Sequence, residues 1–298
     1  MKYYKESKIS EFITKLTFVF KDLIYHPIVI NACLHYKYGR LRHRNWGDDL
    51  NIYLLERIWN KPLTYLYSSI ISTRGEQDNY VVIGSTLAML SNRDSIVWGA
   101  GVIDENEKMD FPPKQIHAVR GPKTRQWLID RGIQCPEVYG DPAMLLAEIY
   151  RPRPTGKRYK LGIIPHYDDF DNPALQNLKN DIEVLFIHME GYKDWLGLID
   201  DIASCDYIAS SSLHGLIMAE AYNIPNLWIE VSGKLMGGHF KFHDFFLSIK
   251  ADREKPYTIQ PQTSAEDILK TKVDYLPGHI DLTPLKKASP FPLNMNRI

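Results

Sequence analysis

The chain has 298 residues, 44% of them apolar and 24% charged, with 36 Lys+Arg balancing 36 Asp+Glu. A chain of this length buries roughly three-quarters of its unfolded surface without disulfide or metal staples, and it suits two compact units. Zero formal net charge argues against a bulk electrostatic nucleic-acid binder, which carries a basic excess. Cys33, Cys135 and Cys205 lie far apart with no CxxC pairing, as expected of reduced thiols in a cytoplasmic protein.

No secretory signal is visible. The first apolar stretch, 9–30, is interrupted by Lys15, Lys21, Asp22 and Pro27, whereas a spanning helix needs about 20 largely uncharged residues. Residues 1–26 read instead as an amphipathic helical segment, helical over 10–25, with Phe12, Leu16, Val19 and Leu23 on one stripe. The first expectation is that this stripe packs on the body of the protein. The second is a peripheral hold on the inner membrane face, helped by several lysines.

From Pro27 onward, short apolar runs alternate with helical patterns. A β-branched run at 28–34 precedes a basic loop and an amphipathic helix over 48–59. Runs at 81–84, 96–98 and 116–119 read as strands, and 124–131 as a helix stopped by Gly132. That alternation predicts βα units around a mostly parallel sheet. Residues 150–159, YRPRPTGKRY, have a linker composition, which places a boundary between a first domain, 27–150, and a second, 158–250. The second half repeats the alternation: strands at 160–164, 184–187, 207–210 and 227–231, helices at 194–204 and 213–223. Residues 251–298 form a C-terminal extension of weaker periodicity, with a last helix at 264–270. A cleft between two such halves is the default ligand site.

The sharpest segment is 206–225, DYIASSSLHGLIMAEAYNIP. A strand ends in Ser210, Ser211 and Ser212, and a helix then begins, whose first amide groups have no internal partners and make an anion site. His214 falls in the first helical turn at the carboxyl edge of the sheet, where α/β proteins bind ligands. Gly215 lets backbone or substrate approach closely. A serine cap and a histidine bonded to the backbone is the plain alternative. In the first half, VRGPKTR (119–125) puts Arg120 at a strand end, with Lys123 and Arg125 nearby; an arginine fork suits carboxylate or phosphate, and a solvated basic turn is the bland reading. RNWGDDLN (44–51) offers Asn45 or Asp48 as a helix cap, or as a partner for a sugar hydroxyl, with Asp48 also a candidate base. His166, in IPHYDD, ends the first strand of the second half and could face the cleft or be structural. Asp168 and Asp169 find no completing metal ligands. His239 and His243 lack the HExxH glutamate, so no metal is expected. Asp141 could lie near the cleft or merely form a turn. No GxGxxG, Walker or GxSxG fingerprint is present.

Taken in order, RNWGDDLN, WGAGV, VRGPKTRQWLIDRGI, VYGDPAMLL and SSSLHGLIMAEAYNIP resemble the polysaccharide pyruvyl transferase family, over about residues 28–250. The resemblance implies two Rossmann-like domains facing a cleft, a glycosyltransferase-B-like α/β fold. It implies transfer of the enolpyruvyl carbons of phosphoenolpyruvate to two hydroxyls of a sugar, forming a pyruvate ketal and releasing phosphate. The acceptor would be a glycan or lipid-linked oligosaccharide of a bacterial surface polysaccharide, with no cofactor beyond the donor substrate. The family's arginine falls on Arg120 and its LHG histidine on His214. Ser212 stands where many members carry arginine, and Lys123, Arg125 and Lys241 are the alternatives for the missing cation.

Two other readings stand beside this one. A nucleotide-sugar glycosyltransferase of the same fold would use Glu220 as a ribose-binding acid. A catalytically inactive carbohydrate-binding protein would keep the cleft without turnover.

Overall fold

The computed structural model describes residues 8–66, 77–153, 156–235 and 237–298; residues 1–7 of the amino-terminal segment, and Pro154 and Thr155 of the 150–159 linker, lie outside them. Helix α1 (Lys8–Tyr25) leads into strand β1 (Ile28–Ile30) and a short antiparallel hairpin, β2 (Tyr36–Lys37) and β3 (Arg40–Leu41). There follow α2 (Trp46–Trp59), β4 (Leu63–Tyr65), β5 (Asn79–Val81), α3 (Leu87–Leu90), β6 (Ser95–Trp98), β7 (Gln115–Ala118), α4 (Pro122–Ile129) and α5 (Leu146–Ile149). The second half contains β8 (Leu161–Ile164), α6 (Gln176–Lys179), β9 (Val184–Phe186), α7 (Gly197–Ala203), β10 (Ile208–Ser210), α8 (Leu213–Ala221), β11 (Asn226–Glu230), α9 (Phe240–Ser248), β12 (Tyr257–Thr258), α10 (Ala265–Lys270) and α11 (Thr283–Lys287).

The described strands build two five-stranded sheets, β4-β1-β5-β6-β7 and β9-β8-β10-β11-β12, and every neighbouring pair is parallel. Counted along its own part of the chain, each sheet has the doubly wound order 2-1-3-4-5. In such a sheet the order reverses between the first and third strands, and the crevice beyond their carboxyl ends is the ligand site. Here those switch points fall between β1 and β5 and between β8 and β10. The second sheet takes its fifth strand, β12, from beyond Lys250.

The strands are short and apolar because both faces are covered: β6 and β8 are buried at all four positions. One continuous apolar cluster joins Ile30, Trp46 and Leu54 of the first half to Ile164, Leu216 and Phe242 of the second. The chain beyond Lys250 then returns to the first half. The Trp98 indole N–H donates to the Leu285 carbonyl at 2.9 Å, Leu285 is fully buried, and the Ile298 amide reaches the Ile149 carbonyl.

The amino-terminal helix begins two residues earlier than predicted and ends at the predicted Tyr25, but it faces the other way from the first expectation. Phe12, Leu16 and Leu23 are exposed, the first at 66%, so the stripe does not pack on the body. The buried positions are Ser10, Thr14 and Phe18. The hairpin explains this: Tyr38 N–H donates to Ser10 Oγ and Gly39 N–H to Thr14 Oγ1, both at 3.0 Å, while Phe18 meets Tyr36 edge-on at 4.9 Å. Close approach to a hairpin backbone selects small hydroxyl side chains over large apolar ones.

Candidate active site

Two catalytic candidates stand on helices that begin beyond the carboxyl ends of the two sheets. Asn45 caps α2, its side-chain oxygen accepting from Gly47 N–H at 3.1 Å. Asn51, one turn on, holds the loop after β5 by accepting from Ile83 N–H (3.0 Å) and donating to the Ile83 carbonyl (2.8 Å); it also donates to the Asp48 carbonyl (3.0 Å). Asp48 is thereby held beside Gly84, which has a φ of +120° and whose missing side chain leaves room for the carboxylate. Burial, together with the neighbouring Asp49 charge, pushes the Asp48 carboxyl up to about 7, against a smaller opposing pull from Lys241.

From the other half, α8 begins at Leu213 with Ser212 at its N-cap, and Ser212 makes no side-chain cap bond. The first turn of α8 is therefore left without a side-chain cap. His214 is 8% exposed, and its Nε2 is buried without a hydrogen-bond partner among the described residues. Burial, with help from Arg120 and Lys241, pushes the imidazole down to about 3, so the ring is neutral and able to accept a proton. Gly47 lies directly against it: a β-carbon there would overlap Nδ1. This is where the two halves meet.

Lys241 rises from the first turn of α9 and is 8% exposed. It makes no ion pair or hydrogen bond among the described residues; its ammonium sits 5.4 Å from the Phe242 ring. Burial and the Arg120 charge push it down to about 8, against a pull upward from Asp48. Its charge also lowers His166 and His214. One buried cation thus acts on a carboxyl and two imidazoles.

The remaining sequence candidates divide. His166 is drawn in: burial and Lys241 lower it to about 4, and its amide donates to Ser211 Oγ at 2.8 Å. Ser210 is internal, its hydroxyl shared between the Ile164 and Ser212 carbonyls and the Ser212 amide. Gly215 packs closely on the strand end, where a β-carbon would overlap Ser210 Oγ. Arg125 is occupied by the Cys135 carbonyl (3.1 Å) and Glu137 (3.3 Å). The Lys123 ammonium lies 5.1 Å from the Phe240 ring.

Arg120 is wholly buried and differs from a free anion clamp. Its Nε donates to Asp244 Oδ2 (3.0 Å), and its two terminal nitrogens to Ser85 Oγ (2.5 Å) and the Val102 carbonyl (2.8 Å). Asp244 in turn accepts from the Thr124 amide (2.8 Å) and hydroxyl (2.7 Å), which ties α4 to α9. A buried pair with its remaining lone pairs satisfied is stable only as a unit. Arg120 therefore builds the floor of the site and lends it positive potential. Asp244 and the α9 helix were missed in the sequence, although Phe242, Phe245, Phe246 and Ile249, all buried, carry helical spacing.

Glu220, the ribose acid of the rival reading, is spent internally. Arg253 bonds to it, as do Asn226 Nδ2 (2.9 Å), the Tyr275 hydroxyl (3.2 Å) and the Gly278 amide (3.0 Å). Asp141 forms a turn, its Oδ1 accepting from Ala143 N–H at 3.0 Å. Among the described residues no group of three His, Cys, Asp or Glu could hold a metal, and no helix is long and apolar enough to cross a membrane.

The chain is thus an α/β protein that gathers buried acid–base groups and a buried cation where its two parallel sheets face each other. The model of the polysaccharide pyruvyl transferase family matches residues 16–233, and the chain belongs to that family. It is 30% identical over 222 residues to an uncharacterised protein of Acanthamoeba polyphaga mimivirus, covering 72% of this chain and 74% of the relative. It is 26% identical over 235 residues to the succinoglycan biosynthesis protein ExoV of Rhizobium meliloti (strain 1021), covering 78% and 70%.

Proposed function

We propose that the protein transfers pyruvate from phosphoenolpyruvate to two hydroxyls of one sugar in a surface polysaccharide or its precursor, forming a ketal and releasing phosphate. The halves 27–150 and 158–250 act as the two lobes of a glycosyltransferase-B-like cleft, a reading supported by two parallel sheets of the same strand order. The observation that carries the proposal is Lys241, a buried ammonium with no ion pair or hydrogen bond among the described residues, beside a raised carboxyl and a neutral imidazole. A buried cation is costly unless a ligand charge meets it.

In this reading the phosphate and carboxylate of the donor lie against Lys241 and the amides at the start of α8, with Ser212 Oγ at the rim. Asp48, protonated for part of the time near neutral pH, delivers its proton to the methylene carbon, and the adjoining carbon becomes oxocarbenium-like. A sugar hydroxyl attacks that carbon while His214 Nε2 takes its proton. The carbon–oxygen bond to phosphate then breaks, and the imidazolium returns its proton to the departing phosphate. The second hydroxyl closes the ketal and gives its proton to Asp48. Both groups end as they began. His214 is therefore the base and Asp48 the acid, while Arg120 acts through the floor it forms.

The test is incubation with phosphoenolpyruvate and a panel of lipid-linked and free glycans. Phosphate release matched by a glycan mass gain of one ketal-linked pyruvate is expected. Turnover of a nucleotide sugar, with no response to phosphoenolpyruvate, would favour the glycosyltransferase and remove this reading.

A further inference from the structure

Helix α1 turns its large apolar side chains away from the protein. Ile9, Phe12, Phe20, Leu23 and Ile24 are each more than half exposed, with Ile13 and Leu16 also open. At about 100° per residue these positions fill an arc of roughly 120°, and Ser10, Thr14 and Phe18 lie on the opposite side. A helix whose apolar face served only the core would show the reverse. Contiguous apolar surface of this kind marks an interaction site.

The charge around the helix indicates the occupant. Between Lys8 and Arg44 the sequence holds seven Lys and Arg against two acids, in a chain whose total charge is zero. Lys37, Arg40 and Arg42 are exposed on or beside the hairpin that α1 packs against. We propose that α1 and this basic hairpin seat the protein on the surface of an anionic lipid bilayer. The helix lies in the interface with its apolar arc about 5–10 Å into the headgroup boundary, and the hairpin cations lie among the lipid phosphates. It does not span, since no described helix is long and apolar enough. The arc is wider than the seam of a coiled coil, and two copies meeting there would bring like charges together. This proposal is independent of the reaction run at the cleft.

Flotation of the full chain with phosphatidylglycerol-containing vesicles tests it, against pure phosphatidylcholine vesicles at the same ionic strength. Binding to the anionic vesicles is expected, lower by at least tenfold on the neutral ones and in the double variant Leu16→Glu/Phe20→Glu. Arg40→Glu/Arg42→Glu should weaken binding at 0.1 M salt, where the Debye length is about 10 Å, and make much less difference at 1 M, where it is about 3 Å. Both pairs of side chains face solvent, so circular dichroism should match the wild type. Equal flotation of wild type and Leu16→Glu/Phe20→Glu would overturn the proposal. So would absence of vesicle binding together with a dimer that this variant dissolves, which would give the face to a second copy.

Discussion

Gly47 and His214 are in contact across the two halves of the protein, with the histidine ring occupying the space a β-carbon at Gly47 would fill. The acid-bearing helix α2 and the base-bearing helix α8 are thereby held at a spacing that any side chain at Gly47 must change. Gly47→Ala should displace the His214 ring at an overpacking cost of about 1–3 kcal/mol and lower kcat more than it raises KM. Steady-state kinetics beside thermal unfolding would check this.

His214→Ala should reduce phosphate release by about 10²–10⁴-fold, the usual contribution of a positioned base, with the fold kept. Because the imidazole is already neutral down to about pH 3, the wild-type rate should show no acid limb from this group between pH 5 and 7. A pH–rate profile of kcat would show it.

Lys241→Met should raise the KM for phosphoenolpyruvate by about 10–100-fold, as expected for the loss of a charge-assisted contact. The wild-type ammonium sits near about 8, so donor binding should weaken as pH rises through that value, and the variant should lose this dependence. Binding titrations between pH 6.5 and 9.5 separate the two.

Asp48 should cost stability where it supports turnover. Its folded value, about 7, lies above the ordinary 3.8, so the folded chain binds the extra proton between those limits. The penalty is fully present above pH 7 and fades as the pH falls toward 4. Asp48→Asn should be inactive yet more stable at pH 8 by about 1 kcal/mol or more, roughly 2–4 °C in Tm at this size, with the gain gone near pH 4. Differential scanning calorimetry at the two pH values decides it.

Asp244→Ala should destabilise by about 3–5 kcal/mol by leaving Arg120 buried and uncompensated. An apolar double replacement, Arg120→Met/Asp244→Leu, should recover much of that in denaturant titrations while remaining inactive. Recovery of activity as well would show that the positive floor is dispensable.

Much of the architecture was legible because parallel strands buried on both faces read as apolar runs separated by helical spacing, as at β6, β8 and α8. The switch-point candidates followed from the same pattern, and the observed cluster includes Asp48, His166, His214 and Lys241. The setting of Arg120 was not legible because its partner Asp244 lies 124 residues away, and a strand-end arginine looks the same whether it meets a ligand or a buried carboxylate. Helix α1 shows the matching limit: periodicity locates an apolar face but not what lies against it. Its packing was decided by hydroxyls reaching the amides of a hairpin, too short a signal to stand out. The tail beyond Lys250 carries little periodicity because isolated contacts such as Leu285 anchor it.

That returning tail has a consequence for synthesis. The Trp98 indole bonds a carbonyl 187 residues further on, and at roughly 5–20 residues per second translation needs about 10–40 s to make that stretch. The first half therefore leaves the ribosome with an apolar surface around Trp59 and Trp98 that is covered only once Leu285 and Phe291 have been made. Contacts of such long sequence separation also slow folding. The newly made chain thus passes through an interval in which this aromatic surface is available to chaperones, and truncation before Leu285 would remove the contacts that cover it.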